Sequence, residues 1–233
     1  MPLPKIDLPI YELILPSNGK KLQYRPFTVK EEKILLIAQE SKSTDQIIQS
    51  IKQVINNCLI DYEVDKLSIF DIEYILITLR SKSVDNIIKF NIEDPDTKEK
   101  VELTLDISDV KVEKNENHSN KIQVNDEYFL FMTYPTIDEY ADIMVGEKSE
   151  SEKSFNIMIK CMDKLVSETS VLNFKDFTEK EIQDFVDSMT GDIVKQIKNF
   201  FDTMPKIRFE INYKNSNKED KKFIIQGTET FFI

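Results

Sequence analysis

Glycine is nearly missing from this 233-residue chain, with Gly19, Gly146, Gly191 and Gly227 the four present. No two stand close together, so neither a phosphate-cradling P-loop nor a G-x-G-x-x-G turn can be written. Histidine occurs once, at His118, which excludes H-E-x-x-H and any His-rich metal site. Cysteine occurs twice, at Cys58 and Cys161, too few for a four-Cys zinc ribbon. Tryptophan is absent, and no basic aromatic cluster offers a platform for stacking bases. Excess positive charge is missing too. The net charge is −11 and the pI about 4.8, which disfavours nucleic acid and anionic membranes as partners. The longest apolar runs, such as Ile34–Ala38, fall far short of a membrane span. The opening residues carry Pro2, Pro4 and Asp7 rather than a basic, then apolar, secretory signal, so a reducing cytoplasm is expected.

What is present is an ordinary globular balance, 40% hydrophobic and 31% charged, long enough for one large domain or two small ones. Lysine outnumbers arginine 28 to 3 and isoleucine dominates the aliphatics, the mark of an AT-rich coding sequence. Residues 1–10 hold three prolines, which exclude a helix and predict an extended arm with Leu3, Ile6, Leu8 and Ile10 alternating along it. Tyr11–Leu15 and Lys21–Phe27 read as a hairpin about Pro16-Ser17-Asn18-Gly19. Thr28 with Glu31 forms a capping box for a first helix. Ser43 or Thr44 caps a second helix to about Leu59, and Ser68 with Asp71 caps a third. Two strands, Ile87–Glu93 and Lys100–Ile107, follow across Asp94-Pro95-Asp96.

Residues 113–126 are polar and read as a linker, with His118 solvated inside it. The second half then repeats the order of the first: a strand over Glu127–Tyr134, a helix capped by Thr136 and Glu139, a helix from about Glu152 to Val166, a helix begun by Thr178 with Glu181, a break at Gly191, and a hairpin of Lys206–Tyr213 and Lys221–Thr228. Cys58 matches Cys161, Ser68-x-x-Asp71-Ile72 matches Thr178-x-x-Glu181-Ile182, and Ile88–Ile92 matches Ile207–Ile211. The expected fold is therefore α+β, as two duplicated lobes, each a strand followed by about three helices and a β-hairpin. The expected boundaries are an arm over 1–10, a lobe over 11–112, a linker over 113–126 and a lobe over 127–233.

The residues that could carry chemistry have plainer uses. Both cysteines sit on apolar helical stripes, where a thiol packs as a small hydrophobe. The acidic pairs Glu31/Glu32, Asp138/Glu139, Glu179/Glu181 and Asp184/Asp187 belong mainly to first helical turns, where they complement the helix dipole. Asp94-x-Asp96 lacks the rest of a calcium loop. Phe231-Phe232-Ile233 ends the sequence on three large apolar residues, which either tuck into their own domain or insert into a partner.

Arg25-Pro26-Phe27-Thr28-Val29-Lys30-Glu31-Glu32-Lys33 after a strand and before a Leu/Ile-rich helix resembles the baseplate hub protein family of T4-like contractile-tailed phages. Met204-Pro205-Lys206, the closing hairpin, Gly227 and Phe231-Phe232 are similar to that family's C-terminus. The resemblance implies a non-enzymatic hub subunit or hub assembly factor, with other baseplate hub proteins as partners. It implies neither a cofactor nor a small-molecule ligand, and it places the chain in the host cytoplasm during assembly or in the virion tail baseplate. Relatives with paired cysteines in their hairpins suggest zinc. Here Asp94-Pro95-Asp96 and Asn215-Ser216-Asn217 stand in the turns, so no metal is expected. The expected contact residues are Leu3, Ile6, Leu8, Ile10, Pro26, Phe27, Phe231 and Phe232. Two other readings are a small hydrolase built on paired carboxylates, and a host-interaction domain unrelated to tails.

Overall fold

The computed structural model describes residues 6–108, 110–144 and 149–226. They form seven α-helices and twelve strands, all strand pairs antiparallel. None of the described helices is long and apolar enough to cross a membrane. The chain divides into two compact units, one of Met1–Glu113 with Lys206–Ile233 and one of Lys114–Pro205.

The first unit opens with strands β1 (Tyr11–Ile14) and β2 (Lys21–Tyr24), turned at Gly19, whose φ of 73° lies in the left-handed region. Helix α1 (Val29–Ser41) starts at Thr28, whose N–H and hydroxyl both donate to the Glu31 carboxylate. Helix α2 (Thr44–Cys58) is capped by Ser43 and runs into β3 (Leu59–Ile60), which pairs with β2. Helix α3 (Ile69–Ser83) begins at Ser68, which accepts from the Asp71 N–H. Its face-to-face burial is almost complete, so its sequence shows no single apolar stripe. Strands β4 (Ile87–Glu93) and β5 (Lys100–Asp106) form a hairpin. Strand β6 (Val112–Glu113) pairs with the start of β11 (Lys206–Lys214), which pairs along its length with β12 (Asp220–Gln226).

Ile77, Ile88, Leu105, Ile107, Ile207 and Ile225 make one buried cluster of this unit, so α3 and both hairpins share a core. At the hairpin tips the Tyr213 hydroxyl donates to Asp94 at 2.8 Å, and Lys221 pairs with Asp96 at 2.6 Å. The C-terminal hairpin thus belongs with residues 6–113 and not with the segment 127–233 to which its sequence order assigned it. The reason is long-range pairing: Lys206 lies opposite Glu113, and Ile207 opposite Val112.

The second unit holds β7 (Lys121–Gln123), β8 (Phe129–Met132), α4 (Ile137–Met144), α5 (Glu150–Lys160), β9 (Met162–Val166), β10 (Val171–Asn173), α6 (Glu179–Asp187) and α7 (Gly191–Thr203). Its sheet runs β10-β9-β8-β7. The core gathers Ile122, Leu130, Met132, Met158, Cys161, Met162, Phe174, Val186, Ile193, Ile197 and Phe200. The helix expected to reach Val166 ends at Lys160, and Met162–Val166 is a strand paired with β8.

Most of the polar stretch after Glu113 is exposed, but His118 within it is half-buried and Lys121–Gln123 pair with β8. His118 packs against the rings of Tyr134 and Phe200, with ring centres 5.6 and 5.2 Å away, and those two rings stack on each other at 5.7 Å, so the three form a triangular cluster. Thr203 Oγ1 already donates to Asn199 O at 2.6 Å, so His118 Nδ1–H donates to Thr203 Oγ1 at 2.9 Å. Nε2 then accepts from the Tyr134 hydroxyl at 2.9 Å. This fixes the neutral tautomer, and burial lowers the imidazole pKa.

Local bonds recur between the halves. Arg25 N–H donates to Cys58 O at 2.9 Å, and Thr133 N–H donates to Cys161 O at 2.7 Å. Thr136 caps α4 through Glu139 as Thr28 caps α1 through Glu31. The turns at Asp94 and Asn215 each hold a left-handed lysine, Lys98 at φ of 60° and Lys218 at 63°, with the first turn one residue longer.

Candidate interaction surfaces and the test for a reactive site

Of the eight expected contact residues, Leu3, Phe231 and Phe232 lie outside the described residues. Ile6 is 88% exposed and Ile10 is exposed, while Leu8 is half-buried. These residues precede β1 without strand or helix assignment, as three prolines in ten residues dictate. Pro26 and Phe27 differ from expectation, because both are buried in the first unit. The Phe27 N–H donates to Ser83 Oγ at 2.9 Å, which draws the chain inward just before α1. Those two residues therefore offer the unit's own core, not a surface.

An apolar surface that the sequence reading missed lies on α1. Only Glu31 and Ala38 of that helix are buried, and Val29, Leu36 and Ile37 stand 79%, 54% and 56% exposed. The signal was in the sequence: five consecutive apolar residues, Ile34–Ala38, cannot all face one side of a helix.

Among the described residues, the carboxylates with displaced pKa values do not converge on a cleft. Glu31 is 2% exposed, and burial alone would raise its pKa. The Arg25 guanidinium at 3.1 Å and the two donors of Thr28 outweigh that and hold it at about 2. Asp94 is held at about 2 by the Thr97 N–H, the Tyr213 hydroxyl and the Asp96 N–H. Glu73 on α3 is buried without a hydrogen bond or ion pair among the described residues, and burial pushes it up to about 8. Burial also pushes the Cys58 thiol to about 11 and Cys161 to about 12, so neither forms a thiolate nucleophile near neutral pH.

The described residues contain a mostly apolar groove of about 420 Å³ in the second unit, lined by Ser154, Phe155, Ile157 and Met158 of α5 and by Val194, Ile197, Lys198 and Phe201 of α7. Two more depressions lie at Asp61 and Glu63, and at Asp126, Glu127 and Glu168 beside Phe129 and Val166. None of the carboxylates with displaced pKa values lines any of the three. Among the described residues no group of three or more His, Cys, Asp or Glu side chains is arranged to hold a metal ion.

The geometry defines a two-unit α+β protein whose displaced acids serve caps, turns, strand ion pairs and one buried site, with apolar side chains exposed before β1 and on α1. The chain belongs to the T4 bacteriophage base plate protein family, whose model matches residues 8–233. It is thus a phage tail baseplate protein, of a family that works alongside other baseplate proteins. Comparison with curated proteins and with solved structures gives no match.

Proposed function

We propose that this baseplate protein acts at the hub, as a hub subunit or in hub assembly, through protein–protein contacts and without catalysis. The observation that carries the reading is exposed apolar surface on extended chain, above all at Ile6 and Ile10. A contact protein gains affinity from such surface when a partner removes it from water. The acids support the same reading: Glu31 caps a helix and Asp94 closes a turn, and neither opens onto a cleft. The net charge of −11 keeps the chain soluble in the host cytoplasm and steers it toward basic partner patches.

The test is a deletion of residues 1–10. Hub incorporation should fall while the circular dichroism and thermal midpoint hold. Unchanged incorporation removes the arm from the mechanism. Mass spectrometry of mature virions beside baseplate intermediates separates the two roles. Presence in both marks a subunit, presence only in intermediates marks an assembly factor, and absence from both refutes the hub reading.

A further inference from the structure

Helix α1 carries apolar residues on the side that faces solvent. At about 100° per residue, Val29, Lys33, Leu36, Ile37 and Glu40 fall within an arc of about 100°, opposite the buried Glu31 and Ala38. Single exposed aliphatic side chains are common on any protein. Three on one stripe, two of them adjacent and more than half exposed, make a face without a partner.

The charges on that face are self-complementary. Lys33 and Glu40 flank the Leu36–Ile37 pair at equal spacing, both are exposed, and neither has an ion pair among the described residues. We propose that two copies of the chain pair through this face of α1, antiparallel, about a twofold axis between Leu36 and Ile37. In that arrangement Leu36 of one copy meets Ile37 of the other, and Lys33 meets Glu40 on both sides of the axis. A parallel pairing would set Lys33 against Lys33 and Glu40 against Glu40, so the charges select the antiparallel form. A twofold interface needs one patch complementary to itself, which this stripe is.

The size of the patch sets the strength. Thirteen residues span about 20 Å, which gives an interface at or below the small end of the stable range. The pair therefore forms reversibly, at micromolar concentration, as befits a protein that joins a larger assembly. The inference stands apart from the hub reading, because it concerns the free chain.

The test is sedimentation equilibrium of the full chain from about 1 to several hundred micromolar. The wild-type mass should rise from 27.3 kDa toward twice that value. Lys33→Glu alone and Glu40→Lys alone each bring like charges together and should weaken the dimer about tenfold or more. An equimolar mixture of the two variants restores opposite charges at both contacts and should recover the wild-type dimer. Both positions are exposed, so the variants keep their fold, with circular dichroism as the check. A wild-type chain that stays at 27.3 kDa overturns the proposal, as does a mixture no tighter than either variant alone. A monomeric wild type whose Leu36→Glu variant loses a different baseplate protein assigns the face to that partner and likewise overturns it.

Discussion

Replacing Glu73 with glutamine isolates the one buried carboxylate that has no hydrogen-bonding or ionic partner among the described residues. Its pKa is about 8 in the folded chain against 4.5 for a free glutamate. The folded state therefore holds a proton that the unfolded state releases between those values. The stability tied to that proton is present in full below about pH 4.5 and is lost as pH rises toward 8. At pH 7 the gap corresponds to roughly 3 kcal/mol, from about 1.4 kcal/mol per unit over the two and a half units between 4.5 and 7. A glutamine at this place has nearly the same shape and does not titrate. Urea unfolding followed by far-ultraviolet circular dichroism at pH 4.5 and pH 7 gives four stabilities. The wild type should lose roughly 3 kcal/mol more than the Glu73→Gln variant between the two pH values. The comparison uses the difference, so the amide's own cost of burial cancels. Curves for the two proteins that run parallel across that window would refute a proton held at Glu73.

Arg25→Ala strands the Glu31 carboxylate in the first unit with only its Thr28 and Asn57 donors and should cost about 2–3 kcal/mol, read by urea unfolding at pH 7. In the wild type, Glu31 supplies stability above about pH 4.5 that is lost as pH falls toward 2, and the variant should show less of that acid loss. His118 is the sole histidine, so one imidazole signal in an NMR titration reports it. The midpoint should lie below 6.5, and a value at or above 6.5 would contradict a partly buried, neutral ring packed against Tyr134 and Phe200. The second unit should accordingly lose stability as pH falls below 6.5.

The helix starts were legible because capping is local. Thr28 with Glu31, Ser68 with Asp71 and Thr178 with Glu181 each bond within four residues, and the sequence spells out those bonds. Strand β9 was not legible. Its apolar residues continue the pattern of α5 past Cys161, and what makes it a strand is the distant Phe129–Met132. His118 and the C-terminal hairpin were misplaced for the same reason. The aromatic stack on His118 comes from Tyr134 and Phe200, and the hairpin is claimed by Val112 and Glu113. Of the contact surface, the arm was readable from its prolines. The burial of Pro26 and Phe27 was not legible, because the anchor of the Phe27 N–H, Ser83, stands 56 residues away at the end of α3. The outer face of α1 was written in its apolar run Ile34–Ala38, which is too continuous for one side of a helix to bury.

The pairing of Glu113 with Lys206 makes the second unit an excursion that leaves and rejoins the first at one doorway. During synthesis the ribosome finishes Lys114–Pro205 before it delivers β11 and β12. The first unit, though begun earliest, cannot close its cluster of Ile77, Ile88, Leu105 and Ile107 until Ile207 and Ile225 arrive. The inserted unit has all its core residues in hand sooner, so the order of emergence and the order of completion are reversed. A chain cut short within the last hairpin would present the unfinished apolar face of α3 and β4–β5, the kind of exposed surface that chaperones and proteases act on.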